Sequence, residues 1–195
     1  MKSSCIETAI EGTPCLLIGG RPIASGESVY AQNAAIDRRR SVFFALAALQ
    51  HAQALGFQPN VVHAHDAHPG AAVHRLQQVA GAEPYWRETA RVLTIHNMVY
   101  QYNEAAEALL RGGLKPTTDN RVPTWARAGL LALAIRAADR INAVSPTYAK
   151  EILTQEHGAG LHTLLLARVG RLSGILNGID YQRWDAATDS ALARN

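Results

Sequence analysis

No stretch of this chain approaches the roughly 18 consecutive apolar residues that a membrane-crossing helix needs, and its opening, "MKSSCIETAIEGTPC", lacks the continuous apolar core of a secretory signal. A cytoplasmic protein with no membrane partner is therefore expected. Cysteine is scarce: Cys5 and Cys15 have neither CxxC spacing nor a second pair, which leaves two ordinary reduced thiols rather than a zinc knuckle or a disulfide framework. Charge of one sign is also in short supply. The net charge is +3 over 195 residues and the basic residues are scattered apart from Arg38, Arg39 and Arg40, so no nucleic-acid partner is expected. Absent too are the GxGxxG and GxxxxGK[ST] phosphate loops, the G-x-S-x-G nucleophile elbow, internal repeats and low-complexity tracts. What remains is a globular balance, 48% hydrophobic and 18% charged, sufficient for one domain with a real core.

The order of the elements carries the fold. "TPCLLIGG" reads as a short buried strand, and "GGRPIASGE" as a turn-rich connection. From Asp37, taken as N-cap, apolar residues at Val42, Ala45, Leu46, Leu49 and Ala52 predict an amphipathic helix that stops at Gly56. "NVVHAH" is then a strand with an apolar start, and residues 69–79 a helix. "RVLTIHN" repeats the strand pattern, residues 102–123 form a loop or broken helix, and "TWARAGLLALAIRAAD" is a helix buried on several sides. "RINAVS" is the next strand, Ser145 caps a helix opened by Pro146, "GLHTLLLAR" is helical, and "RLSGILNGID" is a last strand. Strands alternating with helices predict an α/β protein, a parallel sheet with helices on both faces.

In such sheets, ligands bind outside the carboxyl ends of the strands, and this chain places His63, His65 and Asp66 at one such end, His96 and Asn97 at the next, Ser145 at another and Asn177 at the last. Several readings compete for "VVHAHDAHPG", which packs His63, His65, Asp66 and His68 into residues 63–68. His-x-His at a strand end can begin a metal site, but "HAHDAH" sets its aspartate one place early for a metallo-β-lactamase-type hydrolase, and the later ligand motifs are missing. A metal-dependent hydrolase is thus the lesser alternative, and no metal ligands are assigned. The other readings are a sugar or phosphate site, or a strand end that simply carries polar residues.

"PNVVHAHDAHPG", "VLTIHNMVYQ", "AADRINAVSPTYAKEI" and "GRLSGILNGIDYQRWDAATD" resemble, in this order and spacing, consecutive signature segments of the bacterial glycogen synthases and plant starch synthases. The resemblance runs from about residue 59 to 189, and more faintly back through "CLLIGGRPIASGESVY". It implies a retaining glucosyltransferase of the two-lobed GT-B architecture, whose Rossmann-like halves catalyse in the cleft between them. Residues 1–195 would be a single partial domain, much of the N-terminal glucan-facing lobe, with the nucleotide-sugar lobe absent. Its substrates would be ADP-glucose as donor and an α-1,4-glucan such as glycogen or a maltooligosaccharide as acceptor. It would need no cofactor, and it would complete its site only with a C-terminal lobe in cis or in trans.

By the same resemblance His96 is the catalytic residue, beside the transferred glucose or its departing diphosphate. Asp66, His68, Asn97, Tyr100, Gln101, Asn177 and Gly178 are substrate-binding. The chain departs from the family pattern where Ala67 replaces a tryptophan, Tyr102 replaces the glycine after "YQ", the region from Gln101 to Trp125 is shorter, and the N-terminal Lys-x-Gly-Gly-Leu segment has no counterpart. The chain alone is expected to be inactive. A stand-alone glucan-binding module that has lost catalysis is the principal alternative.

Overall fold

In a computed structural model, residues 2–23, 28, 30–31, 33–181, 184–189 and 191–192 are described. The chain opens with a hairpin, β1 (Ser3–Ile10) and β2 (Thr13–Gly20), paired antiparallel with Ile6 opposite Leu17. Glu11 and Gly12 between them have φ of 49° and 79°, the pair of positive values that a two-residue type I′ turn requires. Sequence reading found β2 but not β1. It also expected β2 to be buried, whereas its first half is largely exposed because a two-stranded ribbon has no second layer. Of the connection expected after β2, only the tight turn from Gly20 to Ile23 is described, and the rest lies outside the described residues.

The domain's centre is a four-stranded parallel sheet in the order β3 (Val61–His65), β4 (Ala90–Ile95), β5 (Arg140–Ala143), β6 (Leu172–Gly174). Between and around the strands run α1 (Ala34–Ala54), α2 (Gly70–Val79), α3 (Ala106–Arg111), α4 (Leu130–Ala137), α5 (Pro146–Glu151) and α6 (His162–Leu166). The α/β class and the parallel sheet are as expected. Within the four described strands, the connecting helices gather on one side. The reason is topological: strand order follows chain order, and each crossover is right-handed by rule, so every connecting helix falls on the same side. On that side Ala64, Leu93, Ile95, Ile141 and Ala143 pack against Val73 and Leu76 of α2 and the almost wholly buried α4. Each leucine, isoleucine or valine among them contributes roughly 1.5–3 kcal/mol by leaving water, and each alanine less.

Several boundaries differ for local reasons. Asn33, not Asp37, caps α1, its side chain accepting from Ala35 N at 2.8 Å, while Asp37 sits in the first turn and accepts from Ala31 N at 2.6 Å. The helix expected from Thr124 is a short 3₁₀ turn, Thr124–Ala126, separated from α4 by Gly129. The last strand ends at Gly174, so residues 175–180 leave the sheet as exposed chain. Ser145 does cap α5, accepting from Tyr148 N at 2.9 Å. Among the described residues no helix is long and apolar enough to cross a membrane.

Candidate active site

The carboxyl ends of β3 and β4 build one side of a cleft of about 800 Å³. Asp66 closes β3 with φ 58°, a left-handed conformation that aspartate tolerates better than most residues. That turn folds its carboxylate back across the sheet. Asp66 Oδ1 accepts from the backbone N–H of His96 at 2.7 Å and of Asn97 at 3.2 Å, while its own N–H donates to Thr94 O at 2.9 Å. One carboxylate thus clamps the ends of two strands. Asn97 Oδ1 in turn accepts from Val99 N at 2.8 Å, which sets the bend leading to Tyr100.

His68, at the head of α2, has its ring between Tyr30 and Tyr102, with centroids 5.9 and 4.5 Å away. Its Nε2 is buried with no partner among the described residues, an atom that a bound hydroxyl or water can satisfy. Tyr100 is 63% exposed on the cleft wall, whereas Gln101 is buried and fully committed: its Nε2 donates to Met98 O and Ala159 O at 3.1 and 2.8 Å, and its Oε1 accepts from Asn103 Nδ2 at 3.2 Å. Gln101 therefore holds the shape of the wall. Tyr102 has φ 52°, a backbone value that favours glycine, and here a tyrosine adopts it while its ring packs on His68.

Five of the expected residues, Asp66, His68, Asn97, Tyr100 and Gln101, line this one cleft. His96 borders it through its backbone and turns its ring along the open face of the sheet, where His65 Nδ1 and His96 Nε2 share a hydrogen bond of 2.9 Å. His63 lies beside His65, ring centroids 4.3 Å apart, with its Nε2 bonded to Thr94 Oγ1 at 2.7 Å. Burial first, then the neighbouring imidazoles of His65 and His96, hold His63 below the ordinary histidine range, so it stays neutral at pH 7. Among the described residues no group of three or more His, Cys, Asp or Glu side chains is placed to hold a metal ion.

Asn177 and Gly178 stand elsewhere, on the exposed chain after β6, where Gly178 lines a separate shallow pocket with Ile179, Asp180 and Trp184. The structure does not bring them to the cleft. Conversely, sequence reading assigned no site role to the opposite wall, Tyr30, Asp37 and Arg38 with Glu104, the last two paired at 3.6 Å. The available signal was the polar, aromatic lead-in to α1, too far along the chain from residues 66–100 to be connected to them by spacing.

The sequence profile of the starch synthase catalytic domain matches residues 2–167. Glycogen synthase 2 of Geobacter metallireducens is 34% identical over 97% of this chain and 40% of its own length, and the glycogen synthase of Methylocella silvestris is 44% identical over 73% of this chain and 29% of its own. The catalytic domain of starch synthase IV from Arabidopsis thaliana, solved bound to ADP and acarbose, superposes with a TM-score of 0.80 at 28% identity, over 97% of this chain and 40% of that one. The chain spans about 40% of the length of the first curated relatives it matches. On sequence and structure alike, it belongs to the starch synthase catalytic domain family.

Proposed function

We propose that this chain is the glucan-facing lobe of an ADP-glucose-dependent glycogen synthase, and that the enzyme it serves joins glucose to the 4-hydroxyl at the non-reducing end of an α-1,4-glucan with retention. In that reaction the bond from the glucose C1 to the diphosphate oxygen breaks, the bond from C1 to the glucan oxygen forms, and the proton of the 4-hydroxyl leaves with the diphosphate. Positive charge develops at the sugar and negative charge on the leaving group. Dipoles already aimed at both positions lower the barrier. His96 and Asn97 are the groups assigned to that task, with His96 held in place by His65 on one side and by its N–H bond to Asp66 on the other. Tyr30 and Tyr100 offer ring surface to the acceptor, and Asn97 and Asp37 offer polar groups to its hydroxyls. The reading assigns the chain no cofactor.

The observation that supports this reading is the Asp66 clamp, which ties the backbone of His96 and of the cleft-lining Asn97 to one rim. The test is calorimetric titration of the folded chain with maltoheptaose. Saturable binding is expected, weakened about tenfold by Tyr100→Ala, whose side chain supports no part of the core. No glucosyl transfer is expected from the chain alone. Transfer should appear when it is fused to the part of the Geobacter metallireducens synthase that it does not match, and fall about 10²–10³-fold with His96→Ala. A folded chain that binds no maltooligosaccharide, or a fusion indifferent to His96, overturns the reading.

A further inference from the structure

On the other side of the start of α1 lies a second cleft, of about 700 Å³, formed with the end of β2 and the end of α3 and sharing no lining residue with the first. Five cations line it, Lys2, Arg21, Arg39, Arg40 and Arg111, and no carboxylate does among the described residues. Its floor is apolar, with Val42 and Phe43 buried beneath Ile36. The walls are seated closely. A side-chain carbon at Gly20 would enter the Phe43 ring, and one at Gly112 would meet Leu46 Cδ1 at 2.6 Å.

Arg40 is engaged by its own contacts, and the other four cations keep donors for a ligand. Arg40 is pinned by Pro22 O at 3.1 Å and Ser28 O at 3.2 Å, and so acts as a fixed part of the wall. Arg39 uses only its Nε, on Ala35 O at 3.4 Å. Arg111 has one carboxylate partner, Glu107 at 2.9 Å, which lies outside the lining, and the side chains of Arg21 and Lys2 make no hydrogen bond or ion pair with described residues. Like charges gathered around a concave, partly apolar site raise the local potential and draw an anion into it. Guanidinium forks favour oxyanions of phosphate geometry over a point charge such as chloride.

We propose that this cleft binds a small phosphate ester, its phosphate held by Arg21, Arg39 and Arg111 and its carbon skeleton laid over Ile36 and Pro22. The site is independent of the sugar cleft and is therefore suited to an effector rather than to a substrate.

The test is a titration of the ¹⁵N-labelled chain followed by amide shifts, with ribose 5-phosphate, inorganic phosphate and ribose as probes. Expected are saturable shifts centred on Arg39, Phe43 and Gly112 with ribose 5-phosphate, none with ribose, and affinity falling with added salt as for any charge-driven contact. The double variant Arg39→Glu, Arg111→Glu should weaken the ester about tenfold or more while keeping the wild-type spectrum elsewhere. Tyr100→Ala should leave ester binding unchanged. Inorganic phosphate binding as tightly as the ester would retain the phosphate site and assign it to the free anion. Shifts that do not saturate, that chloride reproduces, or that survive the double variant overturn the proposal.

Discussion

Leu93 and Thr94 are neighbours in β4, yet they belong to different surfaces. Leu93 points to the helix-covered face, where with Ala64, Ile95, Ile141 and Ala143 it meets α2 and α4 and is fully buried. Thr94 points to the other face, in a polar file with His63 and His65 on one side and Asn142 and Ser173 on the other. The covered face is held by packing and the open face by hydrogen bonds. The difference teaches where each face can change: the first is intolerant of lost volume, and the second can carry ionisable groups up to the rim because no hydrocarbon layer lies over them. The sheet of this chain thus uses one face to fold and leaves the other polar, beside the cleft.

Removing volume from the covered face should have the largest effect. Leu93→Ala is expected to destabilise the chain by about 3 kcal/mol, since a fully buried leucine between strand and helices leaves a cavity that cannot collapse. Urea unfolding followed by circular dichroism measures it. The matching change on the open face is smaller. Thr94→Val keeps the shape but removes the hydroxyl that bonds His63 Nε2 at 2.7 Å and Asn142 Nδ2 at 3.4 Å, and should cost about 1–2 kcal/mol. Asn142 Oδ1 is already buried without a partner among the described residues, so the open face has little polar satisfaction to spare. Equal costs for the two variants would erase the distinction between the faces.

Much of this was legible in the residues. β3 and β4 announce themselves by apolar runs that lead into polar residues, Pro59 and Pro146 mark where strand or helix must begin, and Ser145 was recognisable as a cap. Less legible features depend on long-range contact. β1 escaped because Ile6, Thr8 and Ile10 alternate weakly, and only the Glu11-Gly12 pair signals its turn. One-sided helix placement follows from strand order, which periodicity does not reveal. The far wall of the cleft comes from Tyr30, Ala34, Asp37 and Arg38, brought to residues 66–104 by the docking of α1 against α2 and α3. The NGID segment looked like a strand end at the same rim, but β6 is only three residues long and releases the chain before Asn177. Five of the residues that the resemblance named share one cleft, because they cluster within residues 66–101 at two adjacent strand ends.

The smallest expected effect separates the faces by pH rather than by volume. His63 sits on the open face with its ionisation held low, first by burial and then by the charges of His65 and His96. The unfolded chain therefore takes up this proton before the folded one does. It follows that the contribution of His63 is complete above the ordinary histidine value near 6.5 and is lost as pH falls toward its depressed folded value. His74, a buried residue of α2 and likewise held low first by burial, gives a limb of the same sign from the covered side. His63→Gln should remove part of the loss of stability between neutral and mildly acidic pH and leave the remainder from His74. Thermal melts at closely spaced pH values read the change. If His63→Gln leaves the slope as steep as before, protonation on the open face is not coupled to folding, and Thr94 and Asn142 hold that face without help from the histidine's charge state.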